Sequence, residues 1–201
     1  MSIISLFKSL IGGGKQIYPR VPPYPSSGRL RRRLRPPEQM SRLWVPLSVI
    51  HATSDEMVRV GKERRECYVW WGGSFSGADF AHVTTAYCVN VRSSFGRVEL
   101  HREELHALHQ ELQQRDQVLL AELHTHPPGA GGQNEVDAFH SASCYPGFLT
   151  IVVPEFAHPY FWDPRGAYVY EYQRNGSWRE LSEDQIQQRI VVEEPLVEVT
   201  Q

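Results

Sequence analysis

The sequence predicts an α/β fold with a central mixed β-sheet flanked by helices. Several segments are rich in the β-branched and aromatic residues that favour strands, and one segment between them repeats leucine at helical spacing. The chain has 201 residues, of which 41% are hydrophobic and 22% are charged. These proportions are ordinary for a globular protein, and the length suits one domain with a sizeable core.

The predicted strands are read from apolar runs and turn signals. ECYVWWGGSF (residues 66–75) and HVTTAYCVNV (82–91) are separated by a short turn sequence and predict a hairpin. QVLLAELHTH (117–126) and FLTIVVPEF (148–156) are apolar runs of strand length. GAYVYEYQRNGSWREL (166–181) predicts a second hairpin, because Asn-Gly is the strongest short-range turn signal.

The helices are predicted from apolar spacing and capping residues. LWVPLSVIHATSDEMVRV (43–60) predicts a short strand or turn that leads into a helix, and a short helix is expected from about Asn134. HREELHALHQELQQRD (101–116) predicts a helix that packs one apolar stripe on the sheet. The leucines of that stripe are Leu105, Leu108 and Leu112.

The charges divide the chain into a basic arm and an acidic body. Residues 1–42 hold nine Lys and Arg and one acidic residue, which leaves twelve basic and twenty-two acidic residues for the remainder. The arm is rich in Pro, Ser and Arg, so we expect it to be flexible. We expect the folded domain over residues 43–180 and an acidic tail over residues 181–201. Specific nucleic-acid binding is not expected, because the basic run lacks interleaved aromatic residues and the body is acidic.

Cysteine usage and hydropathy indicate the cellular setting. The three cysteines include no CxxC pair, which argues against a disulfide framework or a Cys-only zinc site and favours a reducing, cytoplasmic location. No apolar run reaches eighteen residues, so we expect no transmembrane segment. A secretory signal is not expected either, because the start of the chain lacks a basic segment followed by a long apolar one.

The stretch AELHTHPPGAGGQNEVDAF carries a candidate metal site. His124 and His126 are two residues apart on a predicted strand, so the period of a strand directs both imidazoles to one face. The Pro- and Gly-rich loop can turn the chain back, and Asn134 suits the N-cap of a helix in which Asp137 takes the third position. Two His and one carboxylate, with a fourth position left for water, is the composition of a catalytic zinc site.

The motif HTHPPGAGGQNEVD resembles the HxHP…SxxD signature of the JAMM (JAB1/MPN/Mov34) metallopeptidases, including the ten-residue gap between the second His and the Asp. That family also has an upstream glutamate in a pattern like E-x-x-G-x-L-x-G. ECYVWWGG places Glu66 in that frame, with Trp71 and Gly73 at matching positions and Val69 where the first glycine would be. The resemblance spans roughly residues 45–175, and the order of predicted strands and helices agrees with it.

This resemblance implies the MPN, cytidine-deaminase-like fold and a zinc-dependent isopeptidase. It implies that His124, His126 and Asp137 bind one Zn²⁺. Glu66 would act as general base on the attacking water and pass the proton to the leaving amine. Asn134 stands where the family has a Ser that is taken to steady the oxyanion. Its NH₂ group can donate in the same way, or its side chain can merely cap the helix.

The resemblance also implies a class of substrate. The short chain is similar to stand-alone prokaryotic JAB proteins, several of which accompany ubiquitin-like conjugation genes, including antiphage defence genes. The expected partners are a ubiquitin-like protein or its conjugates, with the conjugation machinery as a partner of the arm. Tyr160, Phe161 and Trp162 are candidates for binding the substrate, or they pack under the last hairpin. Two alternatives stay open: a non-catalytic MPN scaffold, and a hydrolase that acts on a sulfur-carrier protein.

Overall fold

A computed structural model describes residues 40–76, 79–88, 92–99, 101–158 and 164–193 of the chain. These residues belong to one compact unit and form an α/β domain in which helices flank a mixed β-sheet, as the sequence predicts. Nearly all of the predicted arm and the last residues of the predicted acidic tail lie outside the described part of the chain.

The described residues contain ten strands. In chain order the strands are β1 (Arg42–Pro46), β2 (Tyr68–Ser76), β3 (Phe80–Cys88), β4 (Arg92–Ser94), β5 (Arg97–Glu99), β6 (Val118–Thr125), β7 (Leu149–Val153), β8 (Tyr168–Tyr172), β9 (Trp178–Glu180) and β10 (Ile190–Glu193). Eight of them form one sheet in the order β10-β1-β3-β2-β6-β7-β8-β9, and β4 and β5 form a separate hairpin. β6 therefore lies inside the sheet, between β2 and β7.

Within the described residues, four α-helices connect these strands. They are α1 (Leu47–Gly61), α2 (Arg102–Gln114), α3 (Glu135–His140) and α4 (Glu183–Arg189). Short 3₁₀ turns follow β7 and precede β8. Within the part of the chain that the structure describes, no helix is both long and apolar enough to cross a membrane.

Apolar side chains are buried on both faces of the sheet. On β2, Val69 and Trp71 join the larger core with residues of α1 and α4, whereas Tyr68 and Trp70 join a second core completed by α2. This division follows from the period of a strand, which sends successive side chains to opposite faces. The predicted stripe of α2 is confirmed, because it packs on the second core through Leu105, Leu108 and Leu112.

Both predicted hairpins are confirmed. β2 and β3 pair antiparallel with a bulge between Gly72 and Gly73, where a side chain on Gly73 would collide with the His82 carbonyl oxygen. β8 and β9 pair antiparallel around a turn in which Gly176 has a φ of +85°. That left-handed conformation suits glycine, which explains the Asn-Gly sequence at this turn.

Part of the segment predicted as an acidic tail is folded. α4 begins at the N-cap Ser182, and β10 then pairs in parallel with β1, with Ile190 opposite Leu43. Arg189, at the end of α4, is buried, and its Nε donates to the Glu171 carboxylate at 2.9 Å. Its Nη2 donates to the Gly147 carbonyl oxygen at 2.6 Å, so this arginine joins the C-terminal segment to β8.

We expect Glu171→Ala to lower the free energy of unfolding by about 3–5 kcal/mol, because it leaves Arg189 buried without its carboxylate. Burial opposes ionisation of Glu171, but Arg189, Gln173 and Arg179 outweigh it and hold its pKa below the ordinary value. The stabilisation is therefore present at neutral pH and is lost as the pH falls below about 4. Urea unfolding at pH 7 measures the effect.

Arg59→Ala is the matched control, because the Arg59–Glu56 pair lies on the exposed side of α1. Its loss is expected to leave the stability nearly unchanged, because solvent screens an exposed pair. Equal effects of the two substitutions would contradict the structural role assigned to the buried pair.

Candidate metal centre

Strand β6 delivers two histidines to one place. His124 is the second-last residue of the strand, and His126 directly follows its final residue. Both side chains are buried, and their ring centroids are 4.9 Å apart, so they share a face as the sequence predicts. The backbone of His126 is fixed on both sides: its N–H donates to the Val153 carbonyl, and its carbonyl accepts from the Phe156 N–H.

The loop after His126 turns back to that residue, so that the Gly131 carbonyl lies 2.8 Å from the His126 Nδ1, and it then leads into α3. The Ala130 N–H donates to the Pro127 carbonyl at 3.1 Å, which closes a turn. Gly132 passes so close to Tyr168 and Tyr170 that a side chain would collide with them, which explains a glycine here. This tight path returns the chain to the end of β6 within a few residues.

Asn134 caps α3 and orients Asp137. The Asn134 Oδ1 accepts from the N–H groups of Val136 and Asp137 at 2.8 and 3.1 Å. In return, the Asn134 N–H donates to the Asp137 Oδ2 at 2.9 Å. This is a reciprocal capping box, and it aims the carboxylate of Asp137 back toward β6.

Three possible metal ligands converge as a result. The Asp137 Oδ2 lies 3.7 Å from the His124 Nε2 and 3.4 Å from the His126 Nε2. All three ligand atoms lie within 4.8 Å of one another. The two distances to Asp137 are close to the roughly 3.3 Å that separates tetrahedral ligands bound at about 2.0–2.2 Å, so small side-chain shifts would let all three atoms bind one ion.

The surroundings of the two imidazole rings are compatible with metal binding. The His126 Nδ1 lies 2.8 Å from the Gly131 carbonyl, which can only accept, so Nδ1 carries the proton and the Nε2 lone pair faces Asp137. Both ring nitrogens of His124 are buried and have no hydrogen-bond partner among the described residues. An unpaired buried nitrogen is costly, and a metal bond at Nε2 would satisfy one of the two.

The charges of the group also favour a cation. Burial opposes ionisation of Asp137, but His124, His126 and the Asn134 N–H outweigh it and hold its pKa well below the usual range. Burial likewise opposes the charged form of His126, yet Asp137, the Gly131 carbonyl and Glu66 raise its pKa above the ordinary value. The surroundings thus stabilise positive charge at this point.

Glu66 lies close enough to two of the ligands, His126 and Asp137, for their charges to act on its carboxyl. It precedes β2, its side chain is buried, and its N–H donates to the Ser94 carbonyl at 3.1 Å. Burial raises the pKa of Glu66 to about 7, the charge of His126 lowers it, and that of Asp137 raises it. A carboxylate with this pKa can both accept and release a proton near neutral pH.

The structure therefore brings Glu66, His124, His126 and Asp137 together, and it gives Asn134 the capping role that was one of the two sequence alternatives. Whether Asn134 also contacts a substrate stays a prediction. The proposed substrate-binding residues Tyr160, Phe161 and Trp162 lie outside the described residues, so their role also stays a prediction.

Two residues around the site were missed by the sequence reasoning. The buried Glu122 accepts from the Ala142 N–H at 2.7 Å and the Thr150 hydroxyl at 2.8 Å, which ties β6 to the segment after α3. Tyr68 stacks on the His124 ring at 5.5 Å between centroids, with an interplanar angle of 8°. A charged residue within an otherwise apolar strand was a usable signal for Glu122, whereas nothing local indicated the role of Tyr68.

Comparisons with known proteins give one similar sequence and one similar fold. No family model matches the chain. The chain is 29% identical over 147 residues to "Probable metalloprotease y4jG" of Sinorhizobium fredii (strain NBRC 101917 / NGR234), a match that covers 72% of this chain and 90% of that protein. The solution structure of protein DSY2949 from Desulfitobacterium hafniense matches with a TM-score of 0.55 and 16% identity, over 78% of this chain and 97% of that one. The second likeness concerns the fold alone.

We expect the purified protein to bind one Zn²⁺ and His126→Ala to weaken that binding by more than about 100-fold. The loss should exceed the 10- to 100-fold that follows removal of a mere hydrogen-bond partner of a ligand. Competitive titration with a chromophoric zinc chelator measures the affinity. His106→Ala removes an exposed imidazole from α2 and should leave the affinity unchanged. Equal affinities of wild type and His126→Ala would contradict the assigned site.

Proposed function

We propose that the protein is a JAMM-type zinc metallopeptidase with the MPN fold that cleaves after the C-terminal tail of a ubiquitin-like protein. The observation that carries the proposal is the convergence of His124, His126 and Asp137, together with a buried carboxyl, Glu66, on which the charges of His126 and Asp137 act. The sequence signature and the similarity to a protein named as a probable metalloprotease support the same class of reaction.

The donor set favours a catalytic site over a structural one. Structural zinc sites are closed by four protein ligands, most often with several cysteines. The group found among the described residues has three members and no cysteine. A fourth position would therefore remain for a reacting molecule.

The side chains then have distinct tasks. Zn²⁺ held by the two imidazoles and the carboxylate would supply a Lewis acid that activates water and polarises the scissile carbonyl. Glu66 accepts a proton from the attacking water as the new C–O bond forms. It then delivers that proton to the amine nitrogen as the C–N bond breaks, so it ends each cycle ready to accept again.

Asn134 has one group left for the substrate. Its Oδ1 is committed to the cap of α3, so only its NH₂ can donate to the oxygen of the scissile carbonyl. We assign it this role, which the family gives to a Ser. A single donor of this kind contributes about 3 kcal/mol to lowering the barrier.

A protein substrate fits the surroundings of the site. Val136 and Phe139 are 64% and 57% exposed on α3, the helix that carries Asp137, and Phe95 is 55% exposed on the β4–β5 hairpin. Val136 and Phe139 are three positions apart and so share one side of α3, and adjoining exposed apolar side chains favour a protein partner. In this proposal Tyr160, Phe161 and Trp162 also bind the substrate. The basic arm contacts the conjugation machinery of a prokaryotic antiphage system in the cytoplasm.

The decisive variant for the proposed function is Glu66→Gln, which keeps the size of the side chain and removes its basicity. We expect it to lower kcat on a fusion with a ubiquitin-like C-terminal tail by about 10²- to 10⁴-fold, while bound zinc stays at the wild-type level. Glu63→Gln, at an exposed carboxylate that pairs with Arg65, is the control and should cleave normally.

The outcomes separate the alternatives. A wild type that binds zinc and leaves every tail fusion intact, but releases a sulfur-carrier protein from its adduct, would replace the isopeptidase proposal with the carrier hydrolase. A wild type without zinc would replace it with the MPN scaffold.

The role of Asn134 is tested by Asn134→Gly and Asn134→Ser. Glycine is tolerated at an N-cap at a cost of only a few tenths of a kcal/mol but has no side-chain donor. We expect Asn134→Gly to lower kcat by about 10²- to 10³-fold and Asn134→Ser to retain most of it. Steady-state kinetics with equal zinc loading decides the point, and full kcat in Asn134→Gly would leave Asn134 as a cap alone.

A further inference from the structure

The pairing of β2 with β6 changes just before the catalytic carboxyl. The last regular pair joins Tyr68 to His124. One step further, the Thr125 N–H still donates to the Cys67 carbonyl at 3.0 Å. The Cys67 N–H, however, donates to the side-chain hydroxyl of Thr125, at 2.8 Å. A regular antiparallel pair would exchange two main-chain bonds, so the hydroxyl oxygen takes the position of a carbonyl.

This replacement of a carbonyl by a hydroxyl lies next to Glu66 in the chain, just before β2 begins. Cys67 and Thr125 are both buried, at 2% and 0% exposure, so their bond is shielded from water. On its other side, Glu66 is held by the bond from its N–H to the Ser94 carbonyl on β4. The backbone of Glu66 and Cys67 is thus hydrogen-bonded to the β4–β5 hairpin on one side and to β6, which carries His124, on the other.

Thr125 also has the right side chain for a rigid connection. It lies between His124 and His126, and the period of the strand directs its side chain away from the imidazoles. A β-branched side chain is restricted at χ1, which limits the positions that its hydroxyl can take. The hydroxyl can therefore set the position of Cys67 without touching a metal ligand.

We propose that Thr125 is a positioning residue that fixes Glu66 relative to the metal-binding histidines. This inference rests on the proposed function, because Glu66 is the general base only in that reaction. Loss of the hydroxyl would displace the carboxyl from the water and the leaving amine while leaving the three ligands in place. A displacement of about 1 Å at a reacting group can lower the rate by about 10²-fold.

The test compares Thr125→Val, Thr125→Ser and the matched control Thr53→Val. Thr53 is equally buried, and its hydroxyl accepts from the Trp71 Nε1–H at 2.9 Å. Thr53→Val therefore also removes the hydroxyl acceptor of a buried N–H donor. We expect similar losses of Tm from the two valine variants. Thr125→Val alone should lower kcat, by about 10- to 100-fold, with KM and zinc affinity unchanged, and Thr125→Ser should restore most of kcat.

A second readout needs neither zinc nor substrate. Amide hydrogen exchange on metal-free protein should become faster for Cys67 in Thr125→Val and stay at the wild-type rate in Thr53→Val. A kcat in Thr125→Val no lower than in Thr53→Val would overturn the inference, as would a fall in kcat that follows loss of zinc. A wild type that cleaves nothing would instead overturn the proposed function, and the exchange rates would still report on the connection itself.

Discussion

The position of one buried strand, β6, determines the geometry of the whole candidate site. All eight of its residues are buried, and it is paired on both sides, with β2 and β7, so it cannot shift without disrupting both cores. His124 and His126 leave this strand on one face. Thr125 bonds the segment that carries Glu66, and Glu122 bonds the segment that follows α3. Each chemically important side chain is therefore placed relative to the same element.

The energetic problem of the site is its buried charge. Two carboxyl groups and two imidazoles lie together with little exposure, and each ionised group there carries a desolvation cost. The histidines offset the cost for Asp137, whereas burial leaves Glu66 with a pKa of about 7. One carboxyl is thus suited to remain an anion and bind a cation, and the other to exchange a proton. Their different surroundings, rather than their chemistry, separate the two roles.

The sequence predicted the parts of the site that depend on local geometry. The spacing of His124 and His126 on a strand, and of Asn134 and Asp137 at a helix start, follows from the periods of those elements, and the structure has both. Glu66 is distant in sequence and was found through the family frame alone. Thr125 acts through a long-range hydrogen bond, which no pattern in a single sequence reveals.

The fold was predictable for a similar reason. Hairpins and amphipathic helices are local, and the paired strands β2–β3 and β8–β9 were correctly expected. The edge strand β10 was not predicted. It pairs with β1, which lies at the other end of the domain in sequence, and its short apolar run lies among acidic residues that suggested a tail. Its buried anchor, Arg189, lies in a segment whose composition predicts solvent exposure.

A crystal structure of the zinc-loaded protein, with anomalous scattering collected on both sides of the zinc edge, would show whether His124, His126 and Asp137 bind a catalytic metal. One zinc peak is expected at about 2.0–2.2 Å from the Nε2 atoms of His124 and His126 and from a carboxylate oxygen of Asp137, with no fourth protein ligand. A zinc bound elsewhere, or closed off by a fourth side chain, would contradict a catalytic metal centre at the end of β6.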